Sequence, residues 1–208
     1  MNILRKRFRY SYSSAVFYLI GITVLVYLAQ RMFQNVTFYL SMIPGLVVRG
    51  WVWQLATYMF VHSPRGFSHI LFNMLGLFIF GIQVERRMGS KEFILYYFVT
   101  GTLAGIASFA VYYFTGTPAI LMGASGALYA VMLAFAAFFP DAMIYIWGII
   151  PLRAPVMVLG YTALALFFSF TGMQRGVAHL THLSGFAAGW LYFLVRFGIN
   201  PWRAFKGM

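Results

Sequence analysis

The chain has no cysteine and very few charged residues, and both shortages narrow its class. The absence of Cys excludes a secreted domain held together by disulfides. Charged residues make up 9% of the 208 positions and only three of them are acidic, whereas a soluble domain has roughly 25%. Hydrophobic residues make up 62%, which excludes a disordered chain and a soluble globular enzyme. The composition is that of an integral membrane protein.

The excess of basic residues indicates orientation in a membrane rather than contact with nucleic acid. The formal net charge is +12, a value that in a soluble chain would suggest a nucleic-acid partner. Here Lys and Arg lie between long apolar runs, where they decide which side of the membrane a loop occupies. We therefore predict the lipid bilayer as a partner and no binding of nucleic acid.

Uncharged windows predict six membrane-spanning helices in a single membrane domain over residues 1–208. A helix needs about 20 apolar residues to cross the hydrocarbon. The uncharged stretch from Phe93 to Pro140 is too long for one span, and Thr115–Pro118 divides it into two. The predicted fold is an all-α bundle with spans at roughly 11–30, 67–84, 93–114, 120–139, 154–173 and 177–195.

Residues 31–66 are predicted to form a loop in the membrane interface, with a seventh span as the alternative. Trp51 and Trp53 in this segment suit the level of the lipid headgroups. With six spans and a cytoplasmic N-terminus, most Lys and Arg residues lie inside, and seven spans would place more of them outside. We therefore predict six spans and both termini in the cytoplasm. Four basic residues are left outside: Arg31, Arg49, Arg65 and Arg175.

Four polar side chains inside the predicted spans are functional candidates, because polar groups in lipid are costly. His69 and Asn73 lie four residues apart on one face of the second span. Ser125 lies among small residues in the fourth span, and His182 lies in the sixth. These three spans run in the same direction, and the candidates lie near their starts. The topology therefore predicts one shared depth, a few turns below the outer face.

A Ser and a His at one depth predict a nucleophile and its general base, here Ser125 and His182. The pair is predicted to act as a dyad, because every acidic residue falls at a cytoplasmic end. These residues are Glu85, Glu92 and Asp141. His69, Asn73 and the backbone N–H of Ser125 are placed to stabilise a developing oxyanion.

Less specific interpretations fit the same residues. Ser125 can be a small packing residue, and His69 or His182 can be a hydrogen-bonding link between helices. His62 and His179 are predicted to lie at the interface or to support the site, and no ligand spacing indicates a metal. Two other function classes stay open at this point. One is a small transporter or channel, and the other is a non-catalytic protein that binds transmembrane helices.

Three motifs on spans 2, 4 and 6 resemble the rhomboid family of intramembrane serine proteases. They are Phe67–Met74 (FSHILFNM), Gly123–Tyr129 (GASGALY) and Ala178–Gly185 (AHLTHLSG). Val84–Ser90 (VERRMGS) is similar to the family's cytoplasmic turn between spans 2 and 3. The likeness runs from about Trp51 to Phe193, with the motifs in the family's order.

The resemblance implies a six-helix bundle whose active site is open to water below the outer surface. It implies cleavage of single-span membrane proteins near their outer ends, with no metal or organic cofactor. Together with the short N-terminus, it implies the plasma (inner) membrane of a prokaryote. The implied roles are nucleophile for Ser125, general base for His182, oxyanion stabilisation for His69 and Asn73, and support for Gly123 and Tyr129.

One position departs from the family pattern. The family's first loop commonly has Trp-Arg, whereas this chain has Trp53-Gln54. We expect the change to affect the local stability of the loop more than activity. Because Ser125 and His182 are both present, an active enzyme is predicted.

Overall fold

The structure is a computed structural model that describes residues 5–33, 35–64, 66–146, 148–171 and 179–206. It is dominated by helices, and the longer ones fall in the windows predicted as spans. In chain order the helices are α1 (Ala15–Met32), α2 (Asn35–Leu40), α3 (Pro44–Val48), α4 (Gln54–Thr57), α5 (Ser68–Gly76), α6 (Ile82–Met88), α7 (Ser90–Phe114), α8 (Ser125–Phe138), α9 (Ala154–Thr171), α10 (His179–Tyr192) and α11 (Pro201–Phe205). A 3₁₀ turn covers Tyr58–Phe60, π-helical turns cover Leu77–Gly81 and Phe193–Phe197, and two strands form β1 (Met143–Ile146) and β2 (Ile150–Arg153).

Each predicted span contains one long helical segment. Within the described ranges, three segments are long and apolar enough to cross a membrane: Ala15–Met32, Ser68–Met88 and Ser90–Phe114. Ser68–Met88 consists of α5, the π-helical turn and α6. Ser125–Phe138 and Ala154–Ser169 are apolar but shorter. The chain is thus a mainly helical membrane protein, and the number of spans stays a prediction.

The fourth helix begins later than predicted. The window at 120–139 contains α8 only from Ser125, because the residues before it are held in an extended path. Met42 and Leu121 form an antiparallel bridge with N–H···O distances of 3.0 and 2.9 Å. Gly123 then adopts φ +117°, a conformation that interrupts a helix. Four predicted features lie outside the described residues: the end of span 5 at 173, the start of span 6 at 177, Arg65 and Arg175.

The predicted interfacial loop at 31–66 folds into short helical turns rather than an irregular chain. Four of its aromatic residues pack together, and among them Trp51 stacks on Tyr39 with ring centroids 5.3 Å apart and on Trp53 at 5.2 Å. The inner side of the loop packs on α7, where a Cβ at Gly105 would lie 2.6 Å from Leu55 O. The small residues Gly101 and Gly105 therefore allow the loop to pack closely on α7.

Gln54 at the departing position forms three hydrogen bonds inside this loop. Its side chain is fully buried. Its Oε1 accepts from Ile43 N at 3.1 Å, and its Nε2 donates to Phe38 O at 3.0 Å and Tyr39 O at 3.2 Å. The amide thus ties α4 to the backbone on either side of residue 40. Gln54 thus satisfies these backbone groups itself. The expected effect of the departure on loop stability stays a prediction.

The centre of the bundle is α8, most of whose residues are buried. It packs against α10 through glycines, since a Cβ at Gly185 would overlap the carbonyl of Gly126. One turn on, a Cβ at Gly189 would lie 2.7 Å from the Tyr96 hydroxyl. Small residues on α10 therefore bring its backbone into contact with α8.

Two buried carboxylates join helix ends at the predicted cytoplasmic side. Glu85 accepts hydrogen bonds from the N–H groups of Ala15 at 2.6 Å and Val16 at 3.0 Å, and from the hydroxyl of Ser90. It therefore caps the first turn of α1 while lying on α6. Glu92 accepts from the Tyr192 hydroxyl at 2.6 Å and from Arg196 at 2.7 and 2.9 Å. These bonds join α7 to the end of α10.

A feature that the sequence did not predict lies between α8 and α9. β1 and β2 form an antiparallel hairpin in which Met143 pairs with Arg153 and Ile146 with Ile150. Gly148 at φ +73° forms the turn. An uncharged apolar segment this short has no helical or strand periodicity by which to recognise it.

We predict that Gln54→Ala destabilises the protein by about 1–3 kcal/mol, because the N–H of Ile43 and the carbonyl of Phe38 lose their side-chain partner. Tyr39 O keeps the hydrogen bond from Trp53 Nε1. Thermal unfolding in detergent measures the change. The control is Gln83→Ala, which removes an exposed amide of the same size. Equal unfolding temperatures for the two variants would contradict the role given to Gln54.

Candidate active site

Ser125 is the first residue of α8 and follows a sharply turned backbone. Gly123 has φ +117°, and its N–H donates to Tyr58 O at 3.0 Å. Ala124 then leads into the helix, which begins at Ser125. The backbone N–H of Ser125 is one of the first in α8, so it has no partner within the helix and lies at the positive end of the helix dipole.

His182 contacts Ser125 directly. The distance between His182 Nε2 and Ser125 Oγ is 2.7 Å, a hydrogen bond between α10 and α8. The ring of Tyr129, one turn after Ser125, stacks on the His182 ring at 4.5 Å with an interplanar angle of 8°. The stack fixes the plane of the imidazole, and the hydrogen bond fixes which nitrogen faces the hydroxyl.

No carboxylate takes part in this pair, because all three in the chain are engaged elsewhere. Glu85 and Glu92 join helix ends, as described above, and Asp141 lies 3.8 Å from Arg153. The imidazole of His182 is therefore oriented by the aromatic stack rather than by an acid. The role of the pair as a catalytic dyad stays a prediction at this point.

His69 lies beside the turn that precedes Ser125. A Cβ at Gly123 would lie 2.8 Å from His69 Nε2, so the backbone of the turn approaches the imidazole closely. The other ring nitrogen, Nδ1, accepts a hydrogen bond from Ser63 N at 3.2 Å. A neutral imidazole that accepts at Nδ1 carries its proton on Nε2. His69 therefore presents an N–H donor towards the turn.

Asn73 lies one helical turn beyond His69 and is buried. Its Nδ2 donates to His69 O at 2.8 Å. Its Oδ1 has no hydrogen-bond partner within the described part of the chain. The amide retains one N–H and one oxygen for a further partner, and its tie to His69 keeps the two residues together.

His62 is a member of the site that sequence reasoning placed only at its margin. It is fully buried, and its Nε2 accepts from the N–H of Ala124 at 3.4 Å. Gln30 holds its backbone on both sides, donating to His62 O and accepting from His62 N, each at 3.0 Å. The ring lies 5.0 Å from that of His69. The signal in the sequence is Gln30, the one amide side chain in the mainly apolar helix α1.

Thr181 also has a structural role that the sequence did not reveal. It is buried, and its hydroxyl is 2.7 Å from that of Ser108 on α7. Its methyl group lies 2.9 Å from the position that a Cβ on Gly126 would take. Because Thr181 is next to His182, these contacts hold the start of α10 against α7 and α8.

The fourth histidine, His179, lies near His182. The ring of His179 is 6.2 Å from that of His182, and His179 is mostly buried. Within the described ranges, no group of three or more His, Cys, Asp or Glu side chains is arranged to hold a metal ion. The arrangement supports acyl transfer, with a Ser–His pair and N–H donors beside it.

Comparison with known proteins supports this chemistry. The Rhomboid domain family matches residues 49–199. The chain is 31% identical over 176 residues to the rhomboid protease GlpG of Haemophilus influenzae, covering 84% of this chain and 86% of that protein. It is 28% identical over 147 residues to the putative rhomboid protease YdcA of Bacillus subtilis, covering 70% and 67%. It is also 30% identical over 149 residues to the mitochondrial RHOMBOID-like protein 12 of Arabidopsis thaliana, covering 64% and 43%.

We predict that Gly123→Ala lowers the rate at which a fluorophosphonate labels Ser125 by about 100-fold or more, the cost of losing an oxyanion donor. The added methyl group would displace His69 from the turn. The control is Gly116→Ala, which also places a side chain at positive φ but meets no atom within 4 Å. If Gly123→Ala slows labelling no more than Gly116→Ala does, the contact between position 123 and His69 does not matter for the reaction.

Proposed function

The chain belongs to the rhomboid family and is an intramembrane serine protease, and we propose that Ser125 and His182 are its catalytic dyad. The observation that carries this proposal is the 2.7 Å hydrogen bond between His182 Nε2 and Ser125 Oγ. Membership of a protease family favours this function over the transporter and the non-catalytic binder considered from the sequence.

In the proposed first step, Ser125 Oγ attacks the carbonyl carbon of a substrate peptide bond while His182 Nε2 accepts the hydroxyl proton. The resulting tetrahedral intermediate collapses as the C–N bond breaks. The leaving amine takes the proton from His182, and an ester on Ser125 remains. Water then attacks the ester while His182 accepts a proton from it. The bond between the carbonyl carbon and Ser125 Oγ breaks, Oγ takes the proton back from His182, and the new carboxyl terminus is released. The stack of Tyr129 on His182 keeps the imidazole in line during these proton transfers.

The negative charge on the intermediate requires donors close to Ser125. We propose that the backbone N–H of Ser125, the Nε2–H of His69 and the amide of Asn73 supply them. The position of His69 beside Gly123 supports this, as does the hydrogen bond from Asn73 to the His69 backbone. His62, whose ring accepts from Ala124, acts as a positioning residue for the turn.

The proposed topology has six spans, with both termini inside and the site below the outer face. Positive charge supports this orientation, because Arg196 lies at the end of α10 opposite His182, about 20 Å away at 1.5 Å per residue. Arg86 and Arg87 lie at the end of α6, beyond the Glu85 contacts. We propose single-span membrane proteins, cut near their outer ends, as substrates. The bacterial relatives support placement in a prokaryotic plasma membrane.

The first experiment is cleavage of a reporter whose membrane helix carries small, helix-destabilising residues near its outer end. Purified wild type in liposomes is expected to cut it, and Ser125→Ala and His182→Ala are expected to leave it intact. Ser68→Ala, which removes an exposed hydroxyl on α5, serves as the matched control and should cut like wild type. Cleavage by Ser125→Ala at the wild-type rate would overturn the assignment of the nucleophile.

The depth of the site follows from the position of the cut in the same reporter. A cut within the outer third of the membrane helix supports the proposed topology. A cut near the cytoplasmic end would reverse the orientation while leaving the dyad intact, so the two parts of the proposal are tested separately.

The aromatic stack gives a further prediction. Tyr129→Ala should lower kcat by about 100-fold, because the imidazole of His182 loses the surface that fixes its orientation. Tyr129→Phe keeps the ring and should retain most of the wild-type kcat. Steady-state cleavage of the reporter measures both. A similar loss in the two variants would assign the effect to the Tyr hydroxyl instead of the stack.

A further inference from the structure

The hairpin between α8 and α9 is unusual in its distribution of charge. All residues from Ala142 to Leu152 are uncharged, and their only polar side-chain groups are the Tyr145 hydroxyl and the Trp147 indole N–H. The charged residues stand at the base, where Asp141 and Arg153 are 3.8 Å apart and largely exposed. An apolar run of this length is too short to span a membrane and is typical of a segment that enters the interface.

Several large apolar side chains of the hairpin are exposed on the surface of the protein. Ile149 near the turn is 79% exposed, Tyr145 is 60% exposed, and Ile150 and Met143 are 54% and 46% exposed. A contiguous exposed apolar patch on a folded protein marks a site of contact with a partner or a membrane. The described part of the chain does not cover this patch.

Only one face of the hairpin is packed by the protein. Ile144, Ile146 and Leu152 pack against the hydrophobic core of the bundle. The opposite face carries the pairs Met143–Arg153 and Tyr145–Pro151. A two-stranded hairpin is only marginally stable in water, so a second contact on the open face would stabilise it.

We propose that the open face and the turn of this hairpin bind the lipid interface beside the point where α9 enters the membrane. This rests on the proposed crossing of α9, which begins at Ala154, directly after the last residue of β2. The backbone N–H of Ala154 donates to Ala142 O at 2.9 Å, so the base of the hairpin is fixed to the start of the helix. The hairpin therefore lies at the membrane surface wherever α9 enters it.

The backbone limits how deep the hairpin reaches. Both strands have an outer edge whose N–H and C=O groups are not paired in the two-stranded sheet, and open edges do not occur in the hydrocarbon region. The turn therefore lies at the boundary between headgroups and acyl chains. At this depth the ring of Tyr145 suits the interface and the guanidinium of Arg153 faces the lipid phosphates.

The absence of Cys makes the depth directly measurable, because a single introduced Cys carries the only label. Ile149→Cys is labelled with an environment-sensitive fluorophore in liposomes of zwitterionic and anionic phospholipids. Quenching is compared for lipids brominated near the headgroup, for lipids brominated deep in the acyl chain, and for iodide in water. The controls are Leu164→Cys on the exposed face of α9 and Arg203→Cys on α11.

We expect strong quenching at position 149 by the shallow bromines, weaker quenching by the deep bromines, and little by iodide. The Leu164 control should respond most to the deep bromines, and the Arg203 control to iodide alone. Quenching at 149 like that at 203 would overturn the proposal, and so would quenching like that at 164. Protection from all three quenchers would show contact with protein instead of lipid, which also overturns it.

Two checks keep these outcomes interpretable. Each labelled variant must match the unlabelled protein in thermal unfolding. Ile150→Cys, at the first position of β2, repeats the measurement should the label at 149 disturb the turn. Because quenching does not depend on proteolysis, failure here leaves the proposed dyad untouched, and failure of the dyad leaves this result standing.

Discussion

The contact between the backbones of α8 and α10 is the constraint on which the candidate site depends. Gly185 lies against the carbonyl of Gly126, and any Cβ at position 185 would overlap it. Ser125 precedes this contact on α8 by one residue, and His182 precedes it on α10 by three. With larger residues at the contact, the helices would separate and the 2.7 Å hydrogen bond between Ser125 and His182 would not form. The contact between Ser125 and His182 thus depends on Gly126 and Gly185, two residues that have no side chain.

The loop before α5 supports this contact from the other side. Tyr58 accepts from Gly123 N through its carbonyl and donates from its hydroxyl to Gly101 O at 2.8 Å. The same hydroxyl lies 3.2 Å from the place a Cβ on Gly126 would take. One buried residue of the loop therefore joins α7, α8 and the turn before Ser125. A segment that the sequence describes only as interfacial is part of the scaffold of the site.

Much of the site could be predicted because membrane burial makes polar residues conspicuous. Ser125 and His182 stood out as polar groups at one predicted depth, and the structure brings them into contact. His62 was underestimated, because its depth depends on the fold of the loop and on the hydrogen bonds from Gln30. The predicted fourth span starts five residues before α8 does, because Leu121 is held in an extended bridge with Met42. These two residues are far apart in sequence. Hydropathy predicts which segments are buried, but it does not predict backbone pairing between distant segments.

The cap that Glu85 provides for α1 has a consequence for the order of assembly. The first turn of α1 is synthesised 70 residues before the carboxylate that accepts its N–H groups. At synthesis rates of about 5–20 residues per second, this leaves an interval of roughly 4–14 s during which α1 exists without its cap. Only the arrival of α6 completes the first helix. A nascent chain that stalls between these two elements therefore presents an unfinished helix end to the machinery that inserts it.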